Sequence, residues 1–321
     1  MFFSRQWVQD VFLDLTSISD EMLIGALDRR GISVSISRGI LHLSSSRPDL
    51  KSIQGFAREA AAALGLPLRA PWEEPETLEE QSIFSLLDAD CPADSCLRYS
   101  LRLAVDCRET ESPDWLLDRL RSCGTEPADI FRDIAACVRM ETGQNLRVFD
   151  LRQVPEDGLL IRDSFPGELL PGRGGEPISL PAGIPLRSDS NYLALSIAGG
   201  EEAPIPRDVR AVVLECGCYR GSSRLFGGTG DPMGTLDALN RACGLIRDCG
   251  CGAIAQGCLD SLNYVPQPRF LSYAPTAREA EALKPLGFSV QNNQVEIPSF
   301  RPDLRTEEDL KTELLRILPG N

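Results

Sequence analysis

Apolar positions along this chain follow two periods, and each switch between them marks an element. Trp7, Val8, Val11 and Phe12 share one face of a helix that Ser4 can cap, and Leu23, Ile24 and Leu27 line a second helix opened at Asp20. Alternation over residues 40–43 predicts a strand. Pro48 then starts a helix with Ile53, Phe56, Ala57, Ala60 and Leu64 on one stripe, stopped by Gly65 and Pro67; residues 68–80, rich in Pro and Glu, read as a linker. Tyr99, Leu101, Leu103 and Val105 alternate as a half-buried strand, Ser112-Pro113 opens a helix carrying Trp115, Leu116 and Leu120, and a second helix over 130–140 stops at Gly143. From Val148 to Leu214 short apolar runs alternate with Pro and Gly, so this half is expected to be mostly β. Residues 193–198 and 211–214 are near-continuous apolar runs, the pattern of strands buried on both faces. Helical spacing returns at Leu236, Leu239, Ala242 and Ile246 and is broken by Cys249-Gly250-Cys251-Gly252. The remainder predicts a helix over 276–284, a hairpin over 288–297 turning at Asn292-Asn293, and a closing amphipathic helix with Leu310, Leu314 and Ile317.

One device occurs twice. Ile40-Leu41-His42-Leu43 leads into Ser45-Ser46-Arg47-Pro48-Asp49-Leu50, and Val295-Glu296-Ile297 leads into Ser299-Phe300-Arg301-Pro302-Asp303-Leu304; an amphipathic helix follows each. The chain is therefore expected to be a multi-domain α+β protein. Residues 1–72 form an N-terminal helical module with a strand and an Arg-Pro-Asp helix, residues 84–252 a central mixed α/β domain, and residues 253–321 a C-terminal module related to the first.

Charge restricts the partners. Lys plus Arg number 33 against 47 Asp plus Glu, a formal net charge of −14. That balance opposes tight non-specific binding to a phosphate backbone, so DNA is not an expected partner and any RNA contact must be local. Met1-Phe2-Phe3 is apolar, but Arg5, Gln6, Gln9 and Asp10 follow at once; neither a signal-peptide core nor a membrane span is expected. The 11 cysteines, scattered through helices and strands, read as reduced core thiols of a cytoplasmic protein.

Three stretches, in order, resemble the β subunit of bacterial phenylalanyl-tRNA synthetase. They are Ser44 to Leu66 with Arg47-Pro48-Asp49 and Ala57-Arg58-Glu59; Ser112-Pro113-Asp114-Trp115 through Glu141-Thr142-Gly143-Gln144 to Phe149-Asp150; and Pro298 to Ile317. Gly199-Gly200, Leu214-Glu215-Cys216 and Gly230-Asp231-Pro232 also match. The resemblance implies an editing-like central domain between the N-terminal module and a winged-helix-like C-terminal module. It also implies that the family's tRNA-binding oligonucleotide-fold insert is missing at Arg38, as are the catalytic-like module that docks onto the α subunit and the ferredoxin-like anticodon-binding module. Aminoacylation in the family resides on the α subunit, so this chain alone should not charge tRNA. The implied function is a binding or accessory role in phenylalanine-tRNA metabolism, with tRNA(Phe), aminoacyl-tRNA or the α subunit as partner. The alternative is a free-standing editing hydrolase that deacylates mischarged Tyr-tRNA(Phe).

The same resemblance places the substrate pocket at Glu126, Ala136, Arg147, Gly199, Gly200 and Glu215. Its reactive groups are exchanged: Arg147 stands where the motif has histidine, Glu126 where it has arginine, and Ala136 where it has asparagine. A guanidinium cannot act as a base. Glu215, which follows four apolar residues, is the candidate catalytic group, suited to recognising an amino acid or a proton; the plain reading is a satisfied core carboxylate. Glu126 and Arg147 offer a salt bridge that would fill the pocket. Asp303, Asp309 and Glu313 match carboxylates that the family uses for Mg²⁺ shared with the α subunit, with Thr312 in place of a fourth acid. Against that site stands helix-end chemistry, in which Thr306 and Asp309 form a capping-box-like pair. Cys216-x-Cys218 and Cys249-x-Cys251 hold four thiols but lack the usual zinc spacer, which favours core packing. His42, the single histidine, points away from Leu41 and Leu43 and is expected at the surface. Gly227-Gly228-Thr229-Gly230-Asp231 lacks the Gly-Lys-Ser/Thr of a phosphate loop and reads as a turn before a helix.

Overall fold

Strand Val212–Tyr219, buried along its whole length, is the spine of the central domain. The computed structural model in which it is seen describes residues 1–69, 72–171, 176–200, 203–220, 230–263 and 269–318. The spine pairs antiparallel with Cys96–Val105 on one side and Leu146–Asp150 on the other. Cys96–Val105 also carries Ala253–Gln256 and Leu259–Leu262, and Leu78–Ser82 joins the sheet as the parallel neighbour of Ala253–Gln256. Side chains alternate across this sheet. Val212, Leu214 and Cys216 enter a core shared with helices Ile130–Thr142 and Thr235–Asp248. Val213 and Tyr219 enter a second core with Leu159 and Ile161, which belong to a four-stranded sheet ordered Ala194–Ile197, Pro185–Ser188, Leu159–Asp163, Ala89–Asp90. The central domain is thus layered helix, sheet, sheet, and of the candidate pocket residues Glu215 and Arg147 fall between the two sheets, beside Gly199.

The N-terminal module has sheet order Phe2–Ser4, Ile40–Leu43, Val34–Ser37, with helices Arg5–Val11, Asp20–Asp28 and Ile53–Leu64. Ser4 caps the first by accepting from the Trp7 amide, as its position predicts. The module shares one continuous core with the helical layer, Phe3, Trp7 and Phe56 clustering with Phe131 and Leu146. Trp7 Nε1 donates to Glu141, a carboxylate 0% exposed, at 2.8 Å. The C-terminal module repeats the topology: Arg269–Ser272, Gln294–Ile297, Ser289–Gln291, with helices Ala277–Leu283 and Glu307–Ile317. Both hairpins turn through two left-handed residues, Arg38 and Gly39 at φ 50° and 76°, Asn292 and Asn293 at φ 50° and 60°. Asn and Gly tolerate that region best, and Arg38 is the strained member.

Several expectations change. The helix expected at Pro48 is preceded by a 3₁₀ turn, Asp49–Lys51, and begins only after Ser52, whose extended backbone and side chain cap Gly55 at 3.0 Å. Residues 193–198 do not form a strand buried on both faces: Ala194–Ile197 lies at a sheet edge, leaving Leu193 65% and Leu195 38% exposed. The linker over 68–80 contributes strand Leu78–Ser82, and the central sheet continues past residue 252 through Ala253–Gln256 and Leu259–Leu262. Both departures are long-range pairings, which no local period encodes. Among the described residues no helix is long and apolar enough to cross a membrane.

Candidate functional site

Glu215 sits mid-spine, opposite Leu101 on one neighbour and Arg147 on the other, with its side chain between the two sheets. It is 0% exposed. A buried carboxylate needs donors, and the described residues supply three. Tyr99 Oη donates to Oε2 at 2.5 Å, Arg187 Nε to the same oxygen at 2.6 Å, and the Gly199 amide to Oε1 at 2.8 Å. Arg187 reaches across from strand Pro185–Ser188, stacks 4.4 Å from the Phe149 ring centroid and donates to Ser196 Oγ at 3.1 Å. Burial first, and then the negative charge of Glu215, pushes the Tyr99 phenol well above its ordinary value, so it stays a donor.

Gly199 closes the arrangement. Its φ of 70° is left-handed, and its carbonyl accepts from Arg147 Nε at 2.9 Å and from Asn145 Nδ2 at 3.3 Å. A Cβ here would lie 2.4 Å from Asn145 Nδ2 and 2.9 Å from Tyr219 Cε2, so backbone geometry and space both require glycine. Gly200 donates to the Ile197 carbonyl at 3.1 Å in the same turn.

The structure therefore brings Glu215, Gly199, Gly200 and Arg147 together. Ala136 is buried on helix Ile130–Thr142, in the core on the other face of the sheet. Glu126 is exposed in the loop before that helix, and among the described residues it forms no ion pair with Arg147. The pocket-filling bridge is not formed, because Arg147 turns instead to Asn145 Oδ1, at 3.0 Å, and to Gly199. Tyr99, Arg187 and Asn145 are participants that sequence reasoning missed. Arg187 carried a signal, a charge set beside Leu186 in a short run between turns, but nothing local named its partner.

Residues 95–251 match the B3/4 domain family. Over nearly its whole length the chain is similar to phenylalanine–tRNA ligase β subunits. That of Syntrophus aciditrophicus is 30% identical over 319 residues, which cover 86% of this chain and 39% of that protein. That of Clostridium tetani is 26% identical over 312 residues, covering 87% and 39%. That of Rhodopirellula baltica is 27% identical over 362 residues, covering 99% and 52%. This chain is a relative of the phenylalanine–tRNA ligase β subunit. It spans 39% to 52% of the length of these β subunits.

The three carboxylates that the resemblance assigns to Mg²⁺, Asp303, Asp309 and Glu313, each have partners within the chain. Arg301 donates to Asp303 at 2.8 Å and to Glu313 at 2.6 Å, while Asp309 accepts from the Thr306 amide at 2.8 Å and completes a capping box. The Arg301 guanidinium thus lies between two of these carboxylates, and among the described residues no group of three His, Cys, Asp or Glu side chains has metal-holding geometry. Cys216, Cys218 and Cys251 are buried and Cys249 is half-buried, none of them in a disulfide. His42 is exposed on its strand, stacked 6.0 Å from Phe2. Of the glycine-rich turn, residues 227–229 lie outside the described residues; after Asp231 a 3₁₀ turn, Pro232–Gly234, leads into helix Thr235–Asp248.

Proposed function

We propose that this protein serves phenylalanine-tRNA metabolism by binding rather than by hydrolysis. Its ligands in this reading are tRNA(Phe), an aminoacyl-tRNA or a synthetase α subunit, met in the cytoplasm. The observation that carries the reading is that the Glu215 carboxylate is already engaged by three donors of its own chain, Tyr99, Arg187 and Gly199. A carboxylate has about four acceptor positions. A general base must reach the proton it abstracts, and an oxygen holding both a phenol and a guanidinium is poorly placed to do so. The neighbouring Arg147 supplies no basic nitrogen. The relatives' name, phenylalanine–tRNA ligase β subunit, supports the choice of partner.

Purified chain mixed with Tyr-tRNA(Phe) should release no tyrosine above the buffer blank, yet retain charged or uncharged tRNA(Phe) on a filter or co-purify with an α subunit. Turnover that Glu215→Ala abolishes would replace this reading with that of an editing hydrolase, and retention of neither partner would remove it.

A further inference from the structure

The two copies of the repeated device face each other. Within the first, Arg47 pairs with Asp49 at 2.6 Å and Glu59 at 2.7 Å. At the equivalent positions of the second, Arg301 pairs with Asp303 at 2.8 Å and Glu313 at 2.6 Å. Arg316 crosses from one copy to the other. It binds Glu313 of its own helix at 2.7 Å, Glu59 of the first copy at 2.7 Å, and the Arg30 carbonyl at 2.9 Å. Arg47 to Glu313 at 3.7 Å and Arg301 to Asp49 at 3.8 Å complete a near-symmetric exchange, and the Arg58 guanidinium lies 3.8 Å from the Phe300 ring centroid. Glu59 is 1% exposed and Arg301 2%.

Apolar contact across this seam is thin. The C-terminal module has its own core, with Leu283, Phe288, Val295, Leu310, Leu314 and Ile317. Among the described residues only Ala62 from outside the module packs against that core. The N-terminal module, by contrast, shares its core with the central domain. Burial of apolar surface couples units most strongly, whereas buried ion pairs lose much of their attraction to desolvation. A polar interface between separately cored units permits relative motion.

We propose that residues 269–318 are a releasable unit, held to the rest of the molecule by this ionic seam with Arg316 as its strap, and that the unit detaches intact when the strap is removed. Hydrogen exchange on the full chain tests it. Arg316→Met keeps most of the stem and loses the guanidinium. Amides of residues 44–52 and 298–306 should then exchange at least about tenfold faster, as expected for a local opening, while residues 289–297 and 212–219 keep wild-type protection and the radius of gyration rises. Arg316→Lys restores a charge but not the planar fork, so its exchange should fall between the two. If Arg316→Met alone folds poorly, the double variant Arg316→Met with Glu59→Gln, which removes both members of the strap, should show the same release. Unchanged protection of the seam would overturn the proposal. So would loss of protection in 289–297 together with the seam, because the module would then unfold rather than detach.

Discussion

Glu215 shows how far a single residue can be read. A carboxylate after four apolar positions is legible as a buried strand group, and the structure places it there. Its three donors were not legible, because Tyr99 lies 116 positions away, Arg187 28 and Gly199 16, and only folding brings them to one point. Tyr99→Phe deletes one bond to a charged acceptor and should lower unfolding stability by about 1.5–3 kcal/mol in urea titrations. Glu215→Ala strips all three donors of their acceptor and breaks a buried ion pair, so a loss of roughly 3–5 kcal/mol is expected. A smaller loss for Glu215→Ala than for Tyr99→Phe would contradict the shared-acceptor geometry. Gly199→Ala should destabilise as well, by about 1–3 kcal/mol, since its left-handed backbone and the Asn145 side chain both oppose a methyl group.

Elements were read best where their ends carry chemistry. Ser4, Gly65, Gly143 and Thr306 mark helix ends in the sequence and at those places in the structure, because caps depend on neighbours within one turn. Thr306→Ala should cost about 1 kcal/mol through loss of the capping box. The closing helix also has an acid response. Burial pushes the Glu313 carboxyl up, but the Arg316 and Arg301 guanidiniums outweigh it and hold the group at about 2, below its ordinary 4.5. With the folded value below the unfolded one, the stabilisation is complete above pH 4.5 and is lost as pH falls through 2. The stability difference between wild type and Glu313→Gln should therefore shrink across that window; a gap that is constant from neutral pH down to 2 would show that the carboxylate's charge is not what Arg301 and Arg316 hold. Strand pairing was read worst: the edge position of Ala194–Ile197 and the sheet role of Leu78–Ser82 depend on partners far along the chain.

At the scale of the whole molecule, none of the 11 cysteines forms a disulfide and Arg301 already donates to both Asp303 and Glu313. Neither dithiothreitol nor EDTA should shift the thermal midpoint; a fall with EDTA would reveal a resident cation and a different arrangement around Arg301. The amino-acid sequence alone determined the α+β class, the repeated device, the hairpin turn at Asn292-Asn293, the surface position of His42 and the buried strand that carries Glu215, because periodicity, caps and turn residues act over a few positions. Tertiary structure decided the rest. It joined the N-terminal module to the central core, set the repeated Arg-Pro-Asp motifs against each other, and directed Arg187 and Tyr99 onto Glu215. A buried charge must find its complement wherever the folded chain presents one, and that choice is made in space, over separations that no local pattern records.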